Sequence, residues 1–152
     1  MTRINIGIPP ANLTDQHLLA ELRELPRIPN KVKKYLKENR LDLLQNIPEQ
    51  FTLGTGHVRF FYNKLMYIYN RYPNLHHEYI KRGFYIDYYD DLFVFGNVNR
   101  YKYFSNYTVQ QKDIQLIKSR IATRIRESSQ QPRYYKEPIE KEEYITNILK
   151  FN

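Results

Sequence analysis

One face of the first helical segment gathers side chains suited to a phosphate backbone and a reacting sugar. At roughly 100° per residue they fall within an arc of about 120°, provided that the helix continues past Pro26. The set comprises Gln16, His17, Arg23, Glu24 and Arg27. Arginines bind phosphate oxygens, and surrounding positive charge keeps Glu24 ionised unless burial opposes it. Spacing alone favours an ordinary solvated helix face, because such faces are common and Glu24 then pairs with a neighbouring base.

The start of the chain offers a second reagent. Threonine at position 2 is small enough for removal of Met1 by the usual aminopeptidase, which leaves a free α-amine on Thr2. An α-amine titrates near pH ~7.7–8.0, far below lysine, so a useful fraction is neutral at physiological pH. Arg3 beside it is expected to lower that pKa by like-charge repulsion and so favour attack on a sugar carbon. The alternative is a processed N-terminus without any catalytic role.

Other polar clusters do not indicate a bound ion or nucleotide. The Gly54-Thr55-Gly56 step lacks the lysine of a phosphate-binding loop and predicts a tight turn. His76, His77 and Glu78 are adjacent on a predicted helix, where neighbours point about 100° apart and do not chelate one ion together. The chain has no cysteine, which excludes disulfides, thiolate nucleophiles and cysteine-ligated zinc. We therefore predict no metal and no cofactor.

Composition describes a folded, basic protein of ordinary domain size. A chain of 152 residues suffices for one core, and its 41% hydrophobic and 15% aromatic content argues against disorder. Lysine and arginine outnumber aspartate and glutamate by 24 to 16, a net charge of +8 that favours a polyanion as partner, although many basic proteins merely stay soluble this way. No apolar run approaches the roughly 20 residues of a membrane span, and the start MTRINIGIPP lacks a secretion signal. We expect a soluble, cytoplasmic protein.

The N-terminal third predicts an arm followed by a helix. Residues 1–11 contain a glycine and two prolines, so they are expected to be extended and either mobile or docked. A helix capped by Asn12 or Thr14 then runs from Asp15 to about Lys37, with a kink or break near Pro26 and Pro29. Its core face opposes the polar arc and comprises Leu18, Leu19, Leu22 and Leu25.

Two more long helices complete the prediction. The second spans His57–Lys81, with Gly83 as a stop and Pro73 as a place for a bend. Residues 84–107, crowded with tyrosine and phenylalanine, are expected to form a long ordered loop. A capping box at Thr108 and Gln111 starts a third helix, which ends near Glu127 and carries a stripe of isoleucines at positions 114, 117, 121 and 125. We predict an all-α, single compact domain of three main helices with an extended N-terminal arm, long loops and no internal repeat.

Four stretches of the sequence resemble the pyrimidine-dimer DNA glycosylase family. They are TRIN near the start, DQHLLAELRELPR on the first helix, LGTGHVRFFYNKL before the second and KRGF at its end. The resemblance covers residues 1–86, continues more weakly through Tyr107–Ile125 and returns at Pro132–Lys136. It implies a glycosylase-like domain over residues 1–136. The remaining residues 137–152 form an acidic and apolar extension, expected to be a short helix packed on that domain.

The resemblance implies a bifunctional DNA repair enzyme. In the family, the amine of the processed N-terminal threonine attacks the sugar of the damaged nucleotide, forms an imine and breaks the strand by β-elimination, and an essential acid assists. Thr2 and Glu24 match these two positions. Residues matching the DNA-binding or active-site lining positions are Arg3, Gln16, His17, Arg23, Arg27, Arg120, Arg124, Tyr134, Tyr135 and Lys136. The implied partner is damaged double-stranded DNA, kinked with a base ejected opposite the lesion, and the protein is expected to be a monomer.

Several departures from the family pattern bear on substrate choice. One residue is inserted between TRIN and DQH, Arg124 replaces a lysine and Tyr134 replaces a tryptophan, and these replacements conserve charge and stacking. The tyrosine-rich loop at 87–106 and the tail beyond Lys136 diverge more. Three hypotheses remain: cleavage at cyclobutane pyrimidine dimers, the same chemistry on another damaged or modified base, and a non-catalytic DNA-binding homologue. The chemistry also requires loss of Met1, since retained Met1 places the amine one residue too far out.

Overall fold

In the computed structural model, which describes residues 3–96 and 102–150, α-helices surround one hydrophobic core. The structure is 56% helical and its described strands form one small hairpin, which confirms the all-α, single-domain prediction. The helices are α1 (Asp15–Glu24), α2 (Arg27–Lys37), α3 (His57–Phe60), α4 (Leu65–Lys81), α5 (Gln111–Glu127) and α6 (Lys141–Asn147). The strands are β1 (Arg133–Tyr134) and β2 (Glu137–Pro138), paired antiparallel.

The N-terminal arm is docked, because its isoleucine side chains enter the core. Ile4, Ile6 and Ile8 are each at most 1% exposed, and burying each isoleucine contributes roughly 1.5–3 kcal/mol. Gly7 turns the arm with φ +75°, and a Cβ there would lie 2.6 Å from Cγ1 of Ile114 on α5. Glycine is therefore required twice over at this position, by its backbone angle and by the close approach of α5.

The first predicted helix is divided at its proline. Thr14 caps α1, its Oγ1 accepting the N–H of His17 at 3.1 Å, so the second of the two predicted caps is the one used. Pro26 has no N–H to continue the hydrogen-bond ladder, and α2 starts directly after it. Leu25 and Pro26 nevertheless keep helical φ and ψ, with values of −55° and −43° and of −58° and −22°. The break therefore disturbs the direction of the chain little.

The prediction of one continuous second helix over His57–Lys81 was wrong. The chain forms the short α3, then a 3-10 turn, and leaves helical geometry at Lys64, where φ is −125° and ψ is 40°. The first amides of α4 bond to a distant segment instead, Leu65 N–H to the Tyr103 carbonyl at 2.9 Å and Met66 N–H to the Ser105 carbonyl at 3.3 Å. Helix α4 then runs through Pro73 to Lys81.

The tyrosine-rich loop is ordered by ring stacking where it is described, over 84–96 and 102–107. Tyr88 stacks on Tyr72 of α4 at 4.7 Å between ring centroids, and His76 bonds the Ile86 carbonyl at 2.9 Å. Residues 97–101 of the predicted loop lie outside the described residues. The predicted capping box at Thr108 and Gln111 was wrong: the box is formed by Gln110 and Asp113.

The C-terminal segment begins with a hairpin that no turn signal predicted. Tyr135 and Lys136 join β1 to β2 with φ of 52° and 70°, values that favour glycine or asparagine. After β2, helix α6 packs on α5 and buries Tyr144 completely. The Tyr144 hydroxyl donates to the Asn12 carbonyl at 2.6 Å. This bond connects α6 to the segment that directly precedes α1.

Candidate active site

Helix α1 presents the predicted polar arc because its opposite side is buried. Leu18, Leu22 and Leu25 are at most 3% exposed, and the Glu24 side chain, on the other side, is 23% exposed. The arc was predicted on the condition that the helix continued past Pro26, and it does not. Because the backbone stays helical through the break, Arg27 still lies one turn after Glu24, and its Nη1 is 2.9 Å from the Glu24 Oε2.

The first two members of the arc are held by internal hydrogen bonds. The Gln16 amide donates to the Gln131 carbonyl at 2.7 Å, and its oxygen accepts the Arg133 N–H at 3.0 Å. The His17 Nδ1 lies 2.9 Å from Thr14 Oγ1. Burial lowers the pKa of His17, the Glu21 charge opposes this shift and the Arg124 charge adds to it. The first turn of α1 thus brings together the end of α5 and the C-terminal hairpin.

Three arginines from the arm and from α5 lie close enough to repel one another. Burial lowers the pKa of Arg3, and the charges of Arg120 and Arg124 lower it further. The two α5 residues are four positions apart and so share a helix face. The Nε of Arg120 is buried and has no hydrogen-bond partner within residues 3–96 and 102–150. A cluster of this kind is suited to a phosphate group, which would supply both charge and acceptors.

A cavity of about 530 Å³ opens between α1 and the end of α5. Gln16, His17 and Ala20 line one wall, Arg124 lines another, and the segment 128–132 closes it. Glu24 follows Ala20 by one helical turn. The size is in the range of small-molecule sites, and polar side chains of both α1 and α5 contribute to the lining.

A second cavity of about 420 Å³ lies beyond Glu24, between α2 and the tyrosine-rich loop. Arg23, Arg27 and Lys33 line its helical side. Asp87, Tyr89 and Asp91 line the loop side, and Lys33 Nζ donates to the Asp91 carbonyl at 2.9 Å. Glu24, which is paired with Arg27, therefore has a cavity in each direction along α1.

The arm next to the catalytic candidates is fixed by buried side chains. The Ile4 N–H donates to His57 Nε2 at 2.8 Å, and the Asn5 side chain donates to Glu21 Oε2 at 2.8 Å. Glu21 in turn accepts two bonds from Arg71, the shorter one at 2.5 Å. Glu21, His57 and Arg71 were not among the residues singled out from the sequence. An acid that shares a helix face with Leu18 and Leu25 was the available signal, since a buried carboxylate needs a partner.

His57 must be neutral to hold the arm. Its Nε2 accepts the Ile4 N–H, so Nδ1 carries the proton and donates to the Thr52 carbonyl at 3.1 Å. Burial lowers the pKa of His57 from 6.5 to about 4, against the opposing effect of the Thr52 carbonyl, and the Arg3 charge adds to the lowering. The neutral ring is therefore the form present at physiological pH.

We expect the pKa of His57 to make folding sensitive to mild acid. A histidine whose pKa is lowered on folding binds protons more weakly in the native state, so the free energy of unfolding falls as pH decreases from 6.5 to about 4. The loss contributed by this group is about 3 kcal/mol when complete, and the group contributes no pH dependence above pH ~7. Urea denaturation at several pH values measures it. His57→Gln should show a flatter dependence, and identical slopes for both proteins would contradict the assignment.

The C-terminal hairpin is held at the other end of α1 by a buried ion network. Asp15 accepts the N–H groups of Tyr135 at 3.2 Å and Lys136 at 2.7 Å, and Arg82 donates to Asp15 at 2.8 Å. Arg82 also pairs with Glu78 at 3.0 Å, and Glu78 accepts the Tyr135 hydroxyl. The hairpin thus lies about 13 Å along the helix axis from Glu24, since Asp15 and Glu24 are nine positions apart.

The polar tips of the three predicted hairpin residues are engaged within the protein. The Tyr134 hydroxyl donates to the Ala11 carbonyl at 2.8 Å, Tyr135 bonds Glu78, and Lys136 Nζ donates to the Gly83 carbonyl at 3.3 Å. The Arg82 guanidinium lies 4.5 Å from the Tyr135 ring centroid. The groups of this hairpin that a ligand could contact are therefore the rings of Tyr134 and Tyr135 and the positive charge of Lys136, all of them held rigidly.

Neither a three-residue metal cluster nor a membrane-spanning helix occurs in the described ranges. Within residues 3–96 and 102–150, no cluster of three or more His, Cys, Asp or Glu side chains is arranged to hold a metal ion. No helix in those same ranges has both the length and the apolar character to cross a bilayer. The predicted nucleophile, Thr2, lies outside the described residues.

Comparison with protein families shows a match over the N-terminal part of the chain. The model of the family described as pyrimidine dimer DNA glycosylase matches residues 1–91, well over half of the chain. The matched range contains the arm, α1 to α4 and the start of the tyrosine-rich loop. Of the predicted site residues it includes Thr2, Arg3, Gln16, His17, Arg23, Glu24 and Arg27. Arg120, Arg124 and the hairpin residues lie beyond it.

Proposed function

The chain belongs to the pyrimidine dimer DNA glycosylase family, and from this premise we propose that it both excises a damaged pyrimidine and cleaves the strand. Family membership makes it a DNA repair glycosylase with DNA as its substrate. The strand cleavage, the nucleophile and the site residues are our proposal. The observation that carries it is the docked arm: Asn5 is bonded to Glu21, one helical turn before Glu24, so the described start of the arm lies against the helix that carries that carboxylate.

The proposed chemistry begins at the amine of Thr2 after removal of Met1. The nitrogen forms a bond to C1′ of the damaged nucleotide as the bond from C1′ to the base breaks, and the base leaves with the bonding electrons and takes up a proton. The nitrogen then loses a proton, the bond from C1′ to O4′ opens, and O4′ is protonated, which gives a protonated imine. Removal of a proton from C2′ expels the 3′ phosphate and breaks the strand.

Glu24 is the proposed carrier of these protons. A carboxylate close to C1′ also stabilises positive charge that develops on the sugar while the base departs. Its pairing with Arg27 at 2.9 Å holds it in place, and partial exposure, 23% of the side chain, leaves it accessible to substrate. Glu21, the other acid on this part of α1, is buried and fully engaged by Arg71 and Asn5, which leaves Glu24 as the acid available for chemistry.

We propose that phosphates bind along both sides of Glu24. Arg3, Arg120 and Arg124 form one cationic group, and their mutual repulsion would be relieved by a phosphate. Arg23 and Arg27 form a second group at the cavity beyond Glu24. His17 and Gln16 line the cavity between α1 and α5, and the rings of Tyr134 and Tyr135, with Lys136, extend the surface further. The basic excess of the chain, +8, favours such a duplex contact.

We propose residues 1–136 as the glycosylase unit, acting as a monomer and without a metal. Residues 137–152 are proposed to be a supporting extension rather than part of the reacting centre. Both cavities along α1 are lined by residues that precede Arg133, which supports this division. The extension contributes through packing, since Tyr144 is buried and its hydroxyl bonds the Asn12 carbonyl.

The nature of the cut ends tests the double activity. A duplex carrying one cyclobutane thymine dimer is incubated with the processed protein and analysed before and after treatment with hot alkali. The proposal predicts cut strands without alkali, ending in an unsaturated aldehyde. A glycosylase without lyase activity would leave an intact strand that alkali cleaves, and a non-catalytic homologue would leave the strand intact under both conditions.

The tyrosine-rich loop is proposed to contribute to lesion selection, because its residues line the cavity beyond Glu24. Tyr89, 52% exposed, lines that cavity opposite Arg23 and Arg27. Stacking of a base on an aromatic ring is worth about 1–3 kcal/mol, so Tyr89→Ala is expected to change the ratio of cleavage rates between dimer and abasic duplexes roughly 10-fold. A panel of lesion-bearing duplexes measures the ratio.

Tyr69→Ala is the matched control for the loop substitution. Tyr69 is 51% exposed, nearly the same as Tyr89, but it packs on Phe93 at 5.3 Å and is not among the residues lining the cavity. Its removal should leave the ratio of rates unchanged. Equal changes for the two substitutions would show that the loop affects activity only through general stability.

A further inference from the structure

The N-terminal arm is held at four successive points by side chains from three other elements. Ile4 N–H bonds His57 of α3 at 2.8 Å, and Asn5 N–H bonds Glu21 of α1 at 3.2 Å. Gly7 N–H bonds the Tyr67 hydroxyl at 3.2 Å, and the Ile8 carbonyl accepts a bond from Arg71 at 3.1 Å, both from α4. The side chains of Ile4, Ile6 and Ile8 along this stretch are buried. The arm therefore has one register, because a slip by one residue would break all four bonds and expose the isoleucines.

The first of these bonds lies very near the reactive end of the chain. Only two residues, Thr2 and Arg3, separate the proposed amine from Ile4. Two residues span at most about 7 Å even when fully extended, so an anchor at Ile4 restricts the amine to a small volume. A third residue at the start would carry the amine about 3.5 Å further.

We infer that His57 and Glu21 are positioning residues that set the register of the arm and thereby the placement of the N-terminal amine at the damaged sugar. The inference rests on the proposed function, since it concerns the amine of Thr2. Neither residue is catalytic. Both act by holding main-chain and side-chain groups of residues 4 and 5, and both do so from inside the core, where they are at most 1% exposed.

The hydrogen bonds of His57 exclude a direct catalytic part. Both ring nitrogens are committed, Nε2 to the Ile4 N–H and Nδ1 to the Thr52 carbonyl. The ring also packs edge-to-face on Phe51 at 5.4 Å and on Phe61 at 5.6 Å. These four contacts hold the His57 side chain rigidly. Its Nε2 accepts the N–H of Ile4, the residue that follows Arg3.

Glu21 is saturated in the same way. Its two oxygens accept bonds from the Asn5 backbone and side chain and from two nitrogens of Arg71. Arg71 continues to the Ile8 carbonyl, so one buried ion pair braces the arm at both ends. Asn5 connects the arm to this ion pair, because its side-chain amide donates to Glu21 Oε2 at 2.8 Å.

His57→Phe tests the role of the acceptor while keeping an aromatic ring in the pocket. Imine formation is measured by borohydride trapping on an abasic duplex under single-turnover conditions, and duplex affinity is measured separately. We expect trapping to slow by about 100-fold, the effect of misplacing a reacting group by about 1 Å, with affinity unchanged. His57→Gln, whose side-chain oxygen reaches the position of Nε2, should restore most of the rate.

Two further variants keep the inference testable if His57→Phe does not fold. Asn5→Ala removes the side-chain bond to Glu21, keeps the backbone bond and leaves the buried ion pair intact, and we expect about 10-fold slower trapping. Tyr144→Phe removes the hydrogen bond to the Asn12 carbonyl, which lies beyond the four anchor points of the arm, and this variant is expected to trap at the parent rate even where its stability loss is similar.

The outcomes separate the inference from the proposed function. If the parent protein gives no adduct, the proposed function fails. If the parent gives an adduct and Asn5→Ala and a folded His57→Phe form it at the parent rate, the positioning role is wrong and the proposed function stands. Slower trapping in the arm variants with weaker duplex binding of the same size would also overturn the inference, because a general loss of the DNA surface would then explain it.

Discussion

Replacing Glu24 with glutamine is expected to lower the rate of strand cleavage by about 100- to 10,000-fold, the range over which a positioned proton carrier acts. Glutamine keeps the shape of the side chain and a hydrogen-bond acceptor for Arg27, but it neither carries protons nor stabilises a cation on the sugar. Affinity for the damaged duplex should stay the same or rise slightly, because a negative charge is removed from a DNA-facing surface. Single-turnover cleavage and equilibrium binding, measured on the same duplex, separate the two effects.

Glu143→Gln is a matched control for this substitution. Glu143 is exposed on α6. Its substitution by glutamine removes the same negative charge as Glu24→Gln but leaves the polar face of α1 unaltered. We expect cleavage at the parent rate. A fall in duplex affinity for Glu24→Gln equal to its fall in rate would contradict the assignment, because Glu24 would then contribute to binding and not to chemistry.

Removing Arg82 is expected to cause the largest loss of stability among single substitutions in the network beneath the hairpin. Arg82→Met keeps much of the side-chain length but leaves Asp15 and Glu78, 7% and 6% exposed, without their buried cation. Breaking a buried ion pair by removing one partner costs about 3–5 kcal/mol, a large part of the roughly 5–15 kcal/mol that stabilises a domain. Chemical denaturation measures the loss, and the hairpin amides of Tyr135 and Lys136 should also exchange faster with solvent.

Arg126→Met provides the comparison on the surface. Arg126 also makes a paired contact with one carboxylate, Nε to Glu142 Oε1 at 2.8 Å, but its side chain is 53% exposed. Solvent screens such a pair, so the denaturation midpoint should stay at the parent value. Similar losses for Arg126→Met and Arg82→Met would show that burial does not determine the contribution of these pairs.

Local signals in the sequence located the first helix well. The Thr14 cap and the break at Pro26 depend on neighbouring residues only, and both are present. Of the predicted leucine face, Leu18, Leu22 and Leu25 are buried and Leu19 is partly buried. The second helix was misjudged because its interruption at Lys64 depends on acceptors from residues 103 and 105, which capture the first amides of α4. The capping box moved because Asp113 also accepts the Tyr107 hydroxyl at 2.7 Å, a contact no short motif encodes.

The candidate site was likewise predictable from the sequence only in part. The polar arc of α1 follows from helical periodicity, and it keeps Arg27 beside Glu24 although the helix breaks. The supports of the arm could not be found from periodicity, because His57 and Arg71 lie 53 and 50 positions away from their partners in the chain. The hairpin turn was missed because Tyr135 and Lys136 hold glycine-like angles only where Asp15 accepts both of their amides.

The most direct test of the account is the identity of the residue that becomes linked to DNA. The processed protein is incubated with an abasic duplex in the presence of borohydride, the adduct is digested, and the modified peptide is sequenced by mass spectrometry. We predict a reduced adduct on the α-amine of Thr2, formed only after Met1 has been removed. An adduct on a lysine side chain, or no adduct from protein shown to begin at Thr2, would contradict it.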